Sequence, residues 1–169
     1  QDILNDMDGD EVDTILETIE SAQVAQIIKT TYMELMSNRN WPHLKATFDM
    51  DEYSTTTTPI TMVIPEDIKE VEWIKYNIRS STDTKDKYQT IEYKYPEEFL
   101  DIVNARDSSA SEVSKLSVAT GLYLNVRRDK APQYWTSFDD TYAFFDSYDS
   151  AVESYIHANK TSCYGVRTP

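Results

Sequence analysis

One stretch constrains this chain more than any other. Val12, Ile15, Leu16, Ile19 and Ala22, followed by Ile27, Ile28, Tyr32, Leu35 and Met36, recur mostly three and four residues apart. That period gathers them on one face of an amphipathic helix, predicted from about Asp10 to Ser37. Asp10, Glu11 and Asp13 would complement the positive end of its dipole. Asn38, Asn40 and Pro42 would stop it. Roughly 28 residues at about 1.5 Å each span about 40 Å.

Beyond Trp41-Pro42 the period changes to two. Leu44, Ala46, Phe48 and Met50 alternate with polar residues, as do Ile60, Met62 and Ile64 before Pro65; both read as strands. Residues 71–78, 88–95, 122–126 and 133–138 read the same way. Asp139-Asp140 turns the chain into Tyr142–Phe145, which predicts a hairpin. Pro96, Glu97 and Glu98 open a short helix to about Asn104, with Phe99, Leu100 and Val103 inward. Ser108–Ser117 reads as a Ser-rich loop. A last short helix is predicted from Asp149 to about Asn159, followed by a polar tail that holds Cys163. The expected fold is α+β: a long N-terminal amphipathic helix packed with an antiparallel sheet and hairpins, plus one or two short helices. One domain over 1–169 is expected, with its strand-rich part at 44–145.

Composition narrows the function classes. The 169 residues carry 16 Lys and Arg against 30 Asp and Glu, a net charge of −14, and 40% are hydrophobic. That apolar share closes a core and excludes wholesale disorder. No apolar run approaches the roughly 18–20 residues that a membrane-spanning helix needs. No secretory signal is visible, and an opening Gln1 rather than Met is what a processed or trimmed N-terminus would show. A lone Cys163 forms no internal disulfide. Residues 1–52 hold 12 acids and 3 bases, the opposite of the clustered Lys and Arg that grip phosphates. Only 3 Gly are present, which disfavours glycine-built phosphate loops and nucleophile elbows. The 12 Tyr suit strand surfaces and interfaces alike.

The constellations that could carry chemistry are weak. Asp6, Asp8, Asp10 and Glu17 echo a calcium loop, but Glu11 stands where the sharp-turn glycine belongs. His43, His157 and Cys163 fall short of the four ligands of a structural zinc site. Cys163 lacks neighbours that would activate a thiolate. Asp139 and Asp140, among Trp135, Phe138, Tyr142, Phe144 and Phe145, are the best placed acids for a carboxylate pair, although adjacent aspartates after a strand are ordinary turn chemistry. No cofactor or metal is expected, and no enzymatic activity.

Two segments carry a resemblance. Leu4, the acidic Asp8-Gly-Asp10, and a helix ending in Asn38-Arg-Asn-Trp41-Pro42-His43-Leu44 resemble the opening of the head-to-tail adaptor proteins of short-tailed bacteriophages, also called tail tubular protein A or the head completion ring. Pro132-Gln-Tyr-Trp135-Thr-Ser-Phe-Asp-Asp140, then Phe144-Phe-Asp-Ser-Tyr-Asp149, is similar to a second signature of such proteins. The resemblance implies a virion protein of the phage neck, assembled in the host cytoplasm. It would form a ring of about twelve copies docked to the portal and receiving the tail nozzle or tube. Such adaptors continue into a C-terminal helical arm, whereas this sequence stops at Val166-Arg-Thr-Pro169, so no portal-contact residue is carried over.

From these readings, the candidate interface and packing residues are Trp41, Tyr134, Trp135, Phe138, Phe144 and Phe145, with Trp41 filling the junction between helix end and first strand. Asp6, Asp8, Asp10, Glu11, Asp13, Glu17 and Glu20 are candidate lumen acids, which would let DNA pass without binding it tightly. Two alternatives stand beside this reading: a small soluble hydrolase using Asp139 or Asp140, and an acidic module that mimics nucleic acid.

Overall fold

The computed structural model describes residues 19–53, 57–119 and 121–169. These fall into two compact units, residues 19–44 with Thr168–Pro169, and residues Lys45–Arg167.

The first unit is a helix, α1 (Ile19–Ser37), followed by a single 3-10 turn at Pro42–Leu44. Its end follows the sequence closely. The Ser37 hydroxyl donates to the Met33 carbonyl at 2.7 Å, and the Trp41 indole N–H donates to the Leu35 carbonyl at 3.1 Å. Both carbonyls belong to the last turns, where helices run short of backbone donors. The predicted residues 10–18 lie outside the described part.

The second unit is built from strands β1 (Lys45–Phe48), β2 (Asp51–Glu52), β3 (Thr61–Val63), β4 (Ile68–Asn77), β5 (Tyr88–Tyr93), β6 (Val113–Ala119), β7 (Leu122–Arg127), β8 (Tyr134–Ser137), β9 (Tyr142–Phe145) and β10 (Thr161–Arg167). Helix α2 (Pro96–Asn104) stands between β5 and β6. Eight strands form one sheet in the order β1-β10-β4-β5-β8-β9-β3-β2, and β6 pairs with β7 separately. All pairings are antiparallel except β5 with β8.

That order forces the sheet to curl. β1 and β2 are its two ends, yet only Asp49 and Met50 separate Phe48 from Asp51. Three peptide steps reach about 10 Å at most, so the edges must come round towards each other. The residues facing inward fill the curl: Phe48, Met50, Met62, Ile74, Tyr76, Ile91, Trp135, Phe145 and Cys163 are buried in one core, with Phe99 and Val103 from α2 and Leu124 and Val126 from β7. Gly165 sits at a bulge where β10 crosses β4, and a Cβ there would collide with the Glu70 carbonyl oxygen.

The fold is therefore mostly β, and the expected α+β arrangement dominated by a long packed helix is corrected. Most of the apolar stripe of α1 is not its buried side: Ile27, Ile28, Tyr32 and Leu35 are exposed, and only Met36 of the stripe within residues 27–36 is buried. The helix predicted at 149–159 is a series of turns with a 3-10 turn at Ala158–Lys160, since Ile156 is the only residue of that stretch drawn fully inward. The polar tail around Cys163 is β10, which lies between β1 and β4 inside the sheet. The Ser-rich stretch predicted as loop over Ser108–Ser117 runs into β6 from Val113 onward. The two-residue β2 was not expected; the other strands, α2 and the Trp135–Phe145 hairpin stand close to where the sequence put them.

Candidate interaction surface

Charge and exposure single out α1. Residues 19–44 carry Glu20 and Glu34 against Lys29 and Arg39, an even balance. Residues 1–18 carry 7 acids and no base, and residues 45–169 carry 21 acids against 14 bases. On the helix, Ile28, Tyr32 and Leu35 follow each other at spacings of four and three and form a continuous stripe. They are 52%, 53% and 58% exposed, and Ile27 beside them is 64% exposed. On the same helix Ser21 and Met36 are buried. Several large apolar side chains in a row on one exposed helix face are the mark of an interaction surface, whereas single ones are ordinary.

Trp41 belongs to this unit and is half-buried. It holds the helix end rather than filling a core: its indole caps Leu35, and the Arg39 guanidinium lies 3.6 Å from its ring centroid. The expectation of a buried junction residue is corrected accordingly. Of the candidate lumen acids, Asp6, Asp8, Asp10, Glu11, Asp13 and Glu17 lie outside the described residues, and Glu20 belongs to the first turn of α1.

The aromatic candidates of the second unit separate by depth. Trp135, Phe144 and Phe145 are buried, while Tyr134 and Phe138 are half-buried against the core. Trp135 faces Phe145 and Thr136 faces Phe144 across the hairpin. Asp139 and Asp140 occupy its exposed turn. Asp139 Oδ1 accepts the Thr141 and Tyr142 amides at 3.1 and 3.0 Å, and Asp140 takes a φ of +59°. These are the habits of turn aspartates.

His43 is exposed on the first unit. Cys163 is fully buried, and burial pushes its thiol up to about 12. Among the described residues, no three His, Cys, Asp or Glu side chains form a group that could hold a metal ion. No helix among them is long and apolar enough to cross a membrane.

Two polar clusters escaped sequence reasoning. The Arg106 guanidinium donates to Asp146 Oδ2 at 2.6 Å and to the Asp146 carbonyl at 2.5 Å, while Asp146 Oδ1 accepts the Gln133 and Tyr134 amides. His157 stands between Glu52 and Glu153. The Glu153–His157 spacing of four was visible, but Glu52 lies over a hundred residues away and nothing in its context marks it. No protein-family model matches the chain, and no curated protein sequence matches it significantly.

Proposed function

We propose that this chain is a non-enzymatic structural protein, an adaptor of the neck of a short-tailed bacteriophage that joins portal to tail as a ring of about twelve copies around the DNA exit channel. The segment resemblance in Asn38–Leu44 and Pro132–Asp149 supplies the identity of the assembly. The observation that carries a role in assembly is the exposed stripe Ile28, Tyr32 and Leu35. Its occupant in this reading is a neighbouring copy of the same chain. Copies that each carry −14 repel one another, and the charge-balanced stretch 19–44 is where they can approach at least electrostatic cost. A channel wall of net negative charge would repel the duplex backbone and let the genome slide.

The test is the mass and shape of the particle. Light scattering and negative-stain electron microscopy, on the protein alone and mixed with its cognate portal, should show rings or a portal-bound complex. A strict monomer under both conditions overturns the proposal.

A further inference from the structure

A ring of more than two copies closes through a heterologous contact, in which two different patches of the chain meet. If the stripe of Ile28, Tyr32 and Leu35 met its own equivalent, the product would be a two-fold dimer and growth would stop there. The stripe therefore needs an acceptor elsewhere on the neighbouring copy.

In the second unit, two exposed aromatic rings adjoin at the junction of β5 and α2. Tyr95 is 73% exposed and Tyr93 is 43% exposed. Their rings lie 5.6 Å apart, and Tyr93 packs edge-on against the buried Trp135 at 4.9 Å. The backbone beneath them is fixed from both sides. The Lys94 amide donates to the Trp135 carbonyl at 2.9 Å, and the Phe99 amide of α2 donates to the Tyr95 carbonyl at 2.8 Å. Rings on so fixed a backbone lose little freedom on binding, which suits them as interface anchors. Their 5.6 Å separation is close to the roughly 5.4 Å pitch of a helix, so the pair fits over successive turns of the stripe. The charges also match. Residues 92–98 hold Glu92, Glu97 and Glu98 against Lys94, and the Asp140 charge bears on Tyr93. On α1, Lys29 beside Ile28 is the only charge from Ser21 to Met33. An acidic rim facing a basic one orients the approach of copies that otherwise repel.

We infer that the Tyr93–Tyr95 pair is the acceptor for the α1 stripe of the next copy. The ring is then built head to tail, with α1 as one contact surface and the β5–α2 junction as the other. This rests on the adaptor reading, since it names the partner surface of the same stripe.

The experiment is sedimentation of the whole chain, alone, or on the portal where the parent assembles only there. Two variants each block one surface: Ile28→Glu with Leu35→Glu, and Tyr95→Glu. Tyr95→Ser removes the ring without adding a charge and serves as a second block. All three change exposed positions and should melt close to the parent. Each variant on its own should associate at least about tenfold more weakly than the parent. A 1:1 mixture of the stripe variant with Tyr95→Glu should recover pairs of two chains, because one intact stripe still meets one intact tyrosine pair. Tyr53→Glu, at the separate Tyr53–Tyr142 pair, should associate like the parent. A parent that stays monomeric under both conditions overturns the adaptor reading and this inference with it. A parent that associates while the mixture stays as weak as its parts overturns this inference alone, and so does a Tyr95→Glu variant that assembles normally or a Tyr53→Glu variant that does not.

Discussion

Arg106 and Asp146 are 40 residues apart and form an ion pair of 2.6 Å whose carboxylate is fully buried. The pair joins four elements: Arg106 follows α2 and also donates to the Asn125 carbonyl in β7, while Asp146 directly follows β9 and receives the amides of Gln133 and Tyr134 at the start of β8. Each Asp146 oxygen is accounted for, which is the condition under which a buried charge is tolerated. Removing one partner strands the other. Asp146→Ala should cost about 3–5 kcal/mol in urea unfolding. Replacing both partners with apolar residues should cost much less than the single change, and equal losses would show that the pair is not coupled.

How far this was readable depends on where each signal resides. The strands with alternating large apolar residues, Val71–Ile78 and Leu122–Val126, were legible because one face of each is buried. β10 was not, since Thr161-Ser-Cys-Tyr-Gly165 presents small and polar residues and its burial comes from lying between β1 and β4. The helix stripe was legible as a helix but misleading as core: periodicity reports one apolar face and is silent on what covers it. The Arg106–Asp146 and Glu52–His157 contacts depend on strand order, which no local spacing encodes.

Gly165 tests the β10–β4 crossing. A methyl there would meet the Glu70 carbonyl oxygen and press on the Phe48 ring at 3.1 Å. Backbone on one side cannot yield as a flexible side chain would. Gly165→Ala should therefore destabilise by about 1–3 kcal/mol, read from the denaturation midpoint. A neutral result would mean that the bulge at Tyr164/Gly165 is not held in this register.

Trp41 separates packing from capping. Trp41→Phe keeps an aromatic surface for Arg39 but deletes the donor to Leu35. The expected loss is about 0.5–1.5 kcal/mol, since the net worth of one hydrogen bond is of that order. Trp41→Ala should cost more by losing the ring as well, but less than a buried tryptophan would. Circular dichroism at 222 nm should show the loss in helical signal.

Cys163 predicts both reactivity and pH dependence. Its thiol is held up at about 12 by burial, with the Asp49 charge adding in the same direction, whereas an unfolded cysteine titrates near 8.5. The folded state therefore prefers the protonated form, and stability on this account is intact below pH 8.5 and falls as pH rises above it. Cys163→Ala should flatten part of the decline in melting temperature between pH 8 and pH 10. The native thiol should also resist iodoacetamide at pH 8 and react once urea unfolds the chain, which mass spectrometry reads directly.

The α1 stripe offers the sharpest separation of stability from assembly. Ile28 and Leu35 are more than half exposed, so replacing them removes little that the isolated chain has buried. Exposed substitutions of this kind change stability by about 0.5 kcal/mol or less. Ile28→Glu with Leu35→Glu should leave the melting temperature nearly unchanged while placing two carboxylates where copies are proposed to meet. Burying an unpaired charge is expensive, so association should fall by at least about tenfold. The control is Gln26→Glu, an exposed position about 200° round the helix from Ile28, which should leave both properties alone. If the double variant associates as well as the parent, the stripe is not the contact; if it melts far lower, those side chains are part of a core.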